Sequence, residues 1–93
     1  MPDRIEKLRA TLHELEGELR ELDAGDKLDN STRELMAEAA LEIATVLTRG
    51  ARTDKTEEVE GSLRERLVDF EASHPQLAMV IGRLIDGLGQ LGI

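Results

Sequence analysis

The sequence predicts an all-α protein of three to four short helices, joined as hairpins with coiled-coil-like packing. Three observations carry that expectation. Ile5, Leu8, Leu12, Leu15, Leu19 and Leu22 recur in alternating steps of three and four, which is the spacing of one helix face and not of a strand. Helix start and stop residues punctuate the chain between the apolar runs. No stretch alternates apolar and polar residues with the period of two that a half-buried strand requires.

The elements follow in order. The Ile5–Leu22 stripe predicts a first helix over about residues 3–23, with Glu, Arg, Lys and His on its solvated face. Gly17 is an interior blemish worth about 1 kcal/mol against Ala. The run Asp23-Ala-Gly-Asp ends this helix, with Gly25 expected at the left-handed position after the cap. Ser31-Thr-Arg-Glu34 reads as a capping box that opens a second helix over 31–49. Leu35, Met36, Ala39, Ala40, Ile43, Val46 and Leu47 share its broad apolar face, and Arg49-Gly50 is its stop. The short connection between the two predicts an antiparallel hairpin.

Residues 50–55 are polar and carry no apolar anchor, so they read as a flexible loop. Asp54 or Thr56 is the expected cap of a third helix over 55–72, whose stripe is Val59, Leu63, Leu67, Val68 and Phe70. His74-Pro75 interrupts the pattern, because a residue before proline is biased away from helical geometry. Ser73-His-Pro-Gln76 resembles a second capping box, so a fourth helix is expected over 75–90, with one kinked continuous helix as the alternative. Leu77, Ile81, Leu84, Leu88 and Leu91 repeat along it, and Met79, Val80 and Ile85 widen the stripe.

Length and composition bound the function. The chain has 93 residues, enough for one domain with a thin core. Twelve Lys and Arg against 20 Asp and Glu leave a net charge of −8, which argues against nucleic acid as a partner. Basic residues are scattered among acidic ones, and Arg49–Lys55 forms only a small local exception without aromatic platforms to read bases. The absence of Cys excludes disulfides and thiolate chemistry and fits a reducing compartment. The charged N-terminus lacks a signal-peptide core, and Arg83, Asp86 and Gln90 interrupt the apolar stretch at 77–93. Stable membrane insertion is therefore not expected, and the expected location is the cytoplasm.

The inventory for chemistry is sparse, and the expectation is a protein that is not an enzyme and uses no cofactor. Glu71 and His74 have the Glu-x-x-His spacing of carboxylate-bridged dimetal bundles, which makes them the candidate metal ligands, but only one half of that pattern is present. His13 and Glu16 share the same spacing on a polar face and read as solvated. Ser31, Ser62 and Ser73 lack a nucleophile-elbow context, and capping accounts for Ser31 and Ser73. Gly82, Gly87, Gly89 and Gly92 form no phosphate-binding loop. They read as close helix packing at Gly82 and a fraying C-terminus from Gly87 onward.

The fourth helix is apolar around most of its circumference, more than one neighbour would cover. Leu77, Ile81, Leu84, Ile85, Leu88 and Leu91 are therefore the candidate oligomer interface, and a bundled or intertwined homo-oligomer, a dimer first, is expected. A protein partner is the other occupant considered. The function expected is a self-associating structural or protein-interaction module. The alternatives are a carboxylate/histidine metal-binding protein and a peripheral membrane binder using the C-terminal helix, although the latter normally carries more Lys and Arg on its polar face.

The C-terminal block holds Glu71, Ser73, His74, Pro75, Leu77, Leu88, Gly92 and Ile93. It resembles the ending of a small bacterial family known as domain of unknown function 4404, whose members also share the length and the leucine-rich first helix. The resemblance implies a compact bacterial helical protein and brings no catalytic residues to transfer.

Overall fold

A computed structural model describes residues 4–91. Four helices account for nearly all of it: α1 (Arg4–Ala24), α2 (Asn30–Arg49), α3 (Thr56–Ser73) and α4 (Pro75–Leu91). The expected start of the first helix at residue 3, and Gly92 and Ile93, lie outside the described residues. Helices 3 and 4 are separate: His74 closes α3 at φ −140° and ψ 75°, its N–H donating to the Phe70 carbonyl, and Pro75 opens α4, where its missing N–H costs nothing.

Consecutive helices run antiparallel, and α4 returns beside α1. α1 therefore packs on α2 and α4, and α3 also packs on α2 and α4. Leu8, Leu12 and Leu15 of α1, Met36, Ala39, Ile43 and Val46 of α2, and Val59, Leu63 and Phe70 of α3 meet the inner face of α4 in one core. Each of these side chains larger than alanine, once removed from water, contributes about 1.5–3 kcal/mol. Leu28, in the connection between α1 and α2, is also buried.

The helix ends differ from expectation in three places. The left-handed residue after α1 is Asp26, at φ 56°, and not Gly25. Lys27 N–H donates to the Leu22 carbonyl at 2.9 Å and Asp26 N–H to the Asp23 carbonyl at 3.0 Å, the paired bonds of a Schellman ending. α2 is capped by Asp29, whose Oδ1 accepts from Thr32 N–H at 2.8 Å. The Ser31 box does not form, because helix begins two residues earlier than a Ser31 cap allows, and the Ser31 hydroxyl is taken by Arg66 of α3. Ser73 likewise does not cap α4; it ends α3, its hydroxyl donating to the Asp69 carbonyl at 2.9 Å. Gly50, at φ 75°, closes α2 as the Arg-Gly signal predicts, its N–H donating to the Val46 carbonyl.

Glycine placement also departs from the sequence reading. Gly82 has open space where a side chain would stand, whereas a Cβ on Gly87 would come within 3.2 Å of Leu8 Cδ1. The close approach is thus at Gly87, inside a regular helix, because that is where α1 crosses α4.

Candidate interaction surface

The apolar stripe of α4 lies inside the chain. Leu77, Ile81, Leu84 and Leu88 have no solvent exposure, Ile85 is 5% exposed, and Leu91 is half-buried against the core. The premise that this face lacks intramolecular cover is corrected: α1 covers one flank and α3 the other, so a bundle closed within one chain buries the stripe without a second copy.

The loop at 50–55, expected to be flexible, is tied down by its polar residues. Arg52 donates from Nη1 to the Leu88 carbonyl at 2.8 Å and sets Nη2 at 2.8 Å from Glu60 Oε1. Thr53 N–H donates to Thr56 Oγ1 at 2.8 Å. The hydroxyls of Thr53 and Thr56 both donate to Glu42 Oε2, from Thr56 at 2.7 Å. Thr53 Oγ1 also accepts from Lys55 N–H. These bonds do the capping expected of Asp54 or of Thr56 alone; Lys55 holds the cap position without a side-chain bond. Glu42, Thr56 and Glu60 are buried, and a buried polar group needs such partners. Arg4 Nη1 meets the Gln90 carbonyl at 3.1 Å, so two arginines from distant elements satisfy the end of α4, whose last turn has no basic residue.

Of these polar residues only Thr56 was singled out in the sequence as a cap, yet two others carried a signal. Glu42 falls three residues after Ala39 and four before Val46, and Glu60 three before Leu63, so both sit in phase with the apolar stripes. Nothing in the sequence marks Arg52 as the partner of Glu60.

The candidate metal pair is not assembled into a larger set. Glu71 is exposed, and His74 is half-buried with its ring centroid 6.4 Å from that of Phe70. Among the described residues no group of three or more His, Asp or Glu side chains could hold a metal ion. His13 is exposed beside Glu16, with 3.5 Å between Nδ1 and Oε1. Ser31 and Ser73 are engaged as described, and Ser62 is half-buried.

Two of the open surfaces among the described residues carry apolar side chains from neighbouring helices. Between α1 and α2 runs a groove of about 450 Å³ floored by Leu19, Leu28, Met36 and Ala40, with the ion pair of Arg33 and Asp23 on its rim. On the other side, α3 and α4 form a shallow apolar face. Leu67, Ala78 and Met79 line it together with Gly82. Val68 stands on the same side, four residues after Arg64 and three before Glu71, each of which lines one of the two adjoining depressions that make up this face. Val68 is 69% exposed and Met79 60%. Val68 was expected in the core stripe of the third helix. It is excluded because Leu63, Phe70 and the half-buried Leu67 already fill that face.

Residues 6–93 match the sequence profile of a family described as a domain of unknown function (DUF4404). The chain belongs to the DUF4404 family. In this DUF4404 protein Glu71, Ser73, His74 and Pro75 of the C-terminal block lie at the junction of α3 and α4, and Leu77 and Leu88 lie within α4. No curated protein and no solved structure matches the chain. Among the described residues no helix is long and apolar enough to cross a membrane.

Proposed function

We propose that this DUF4404 protein is a non-enzymatic helical interaction module that self-associates through the outer face of α3 and α4. The observation that supports this reading is that Leu67 and Met79 gather beside Gly82 on that face, with the exposed Val68 between Arg64 and Glu71 on the same side of α3. Scattered surface hydrophobics need no explanation, but apolar side chains gathered on one face mark an interaction site. The distribution of chemistry favours the same reading. Glu42, Arg52, Thr53, Thr56 and Glu60 are committed to holding the bundle end, and the hydroxyls of Ser31 and Ser73 to helix contacts.

Sedimentation velocity on the full chain tests the proposal. The wild type is expected to sediment as a concentration-dependent oligomer. Met79→Glu and Val68→Glu are expected to return it to monomer with unchanged helical circular dichroism, because both side chains already face water. Leu41→Glu serves as control: Leu41 is 70% exposed on α2, away from the face, and its replacement leaves association unchanged. A wild type that stays monomeric up to its solubility limit overturns the proposal.

A further inference from the structure

The α3/α4 face is not only apolar; its charges are arranged to match a second copy of itself. Along α3, Arg64 lies three residues before Leu67, and Glu71 lies three residues after Val68. Glu71 lines one of two adjoining depressions on this face and Arg64 the other, the two sharing Leu67, Met79 and Gly82; Asp86 and Arg83, the latter already paired with Glu14, stand beside Arg64. Arg64 is 63% exposed and its intrachain partner, Glu60 Oε2, is 3.6 Å away, too far for a strong hydrogen bond. Glu60 meanwhile holds Arg52 at 2.8 Å, so Arg64 is dispensable to it. Glu71 is exposed.

A two-fold axis through the Leu67–Val68 midpoint carries each position onto its opposite number: Arg64 onto Glu71, Leu67 onto Val68. We infer that two copies of this chain pair α3 against α3 in antiparallel register about that axis, with Arg64 of each copy against Glu71 of the other, and the apolar residues between them closed from water. This inference rests on the proposed function and adds to it the partner and the register. An isologous interface must be self-complementary, and a parallel arrangement would instead set Arg64 on Arg64 and Glu71 on Glu71. Gly82 favours close approach at the same level: nothing stands within 4 Å of the place where its Cβ would be, which leaves room for an apolar side chain of the second copy, such as Met79.

The experiment is a charge swap read by sedimentation equilibrium on full-length chains. Arg64→Glu alone sets two carboxylates together at both ends of the interface, and Glu71→Arg alone sets two guanidiniums together. Each is expected to weaken self-association about tenfold or more, since like charges across an interface disfavour pairing. An equimolar mixture of the two variants restores both opposite-charge contacts and is expected to form a heterodimer about as tight as the wild-type homodimer. Circular dichroism confirms that each variant is folded. Should Arg64→Glu disturb Glu60, Arg64→Gln replaces it, and mixing with Glu71→Arg must still give a complex tighter than the Glu71→Arg homodimer. Association that Met79→Glu abolishes, but that the mixture fails to restore, overturns the register and leaves the proposed function standing. Absence of wild-type association removes both.

Discussion

The Arg52 guanidinium closes the C-terminal end of α4 by donating to the Leu88 carbonyl at 2.8 Å. The same group faces the buried Glu60 carboxylate, so one side chain from a loop joins α3 to α4 at the open end of the bundle. Removing it leaves a carboxylate that is 6% exposed with only the longer contact to Arg64, at 3.6 Å. Arg52→Ala is expected to cost about 2–3 kcal/mol, the penalty of a buried charged acceptor that loses its close partner. Arg52→Lys should recover only part, because an ammonium lacks the planar fork that serves both acceptors. Urea unfolding of the two variants checks the order.

Leu84 has no solvent exposure and sits where α1 and α3 both meet α4. Leu84→Glu therefore attacks the fold and not an interface between copies. The expected cost is about 4 kcal/mol, from lost burial plus an unpaired charge in an apolar site. That is most of the stability a small domain holds, so the variant should lose its helical circular dichroism at every concentration. A folded, monomeric Leu84→Glu protein would count against the burial described.

Two glycines in helix interiors should respond differently to alanine. Gly17 has nothing within 4 Å of its missing side chain, so Gly17→Ala is expected to stabilise by about 1 kcal/mol through helix propensity alone. At Gly87 the new methyl meets Leu8 Cδ1 at 3.2 Å, and Leu8 is itself buried. The propensity gain is then offset by strain, and thermal melts should show no increase comparable to that of Gly17→Ala.

Acid should weaken the start of α2 through Asp29. Hydrogen bonds from the Thr32 side chain and from its backbone N–H hold the Asp29 carboxyl below the ordinary carboxylate range. A carboxyl depressed in the folded state contributes fully above its ordinary range, and the contribution is lost as pH falls through the lower, native value. Asp29→Asn keeps an N-capping side chain without a titrating group. Chemical unfolding from neutral to strongly acidic pH should find the gap between wild type and Asp29→Asn changing only at the acid end.

Helix type was legible, and helix number to within the choice between three and four, because leucine spacing and punctuation are local. The expected limits and those of α1 to α4 differ by at most one residue where described. Gly50 was legible for the same reason: an Arg-Gly pair after an apolar run needs no tertiary context. Caps were less so. Asp29 and Ser31 are both competent N-cap residues, and Arg66, from a helix far along the chain, claims the Ser31 hydroxyl. The candidate face was not legible. Met79 read as widening the α4 stripe and Val68 as part of the α3 stripe, yet both are exposed, since only the packing of the helices shows which side of each points inward.

Alone, the sequence determined that the chain is helical, where most helices begin and end, and that α4 must be covered, because these follow from periodicity and backbone chemistry within a few residues. The tertiary structure decided what covers it. Whether an apolar stripe meets its own chain or another depends on how neighbouring helices are placed around it, and the same holds for which buried carboxylate meets which arginine. Those contacts join residues far apart in sequence, and no local pattern encodes their distance.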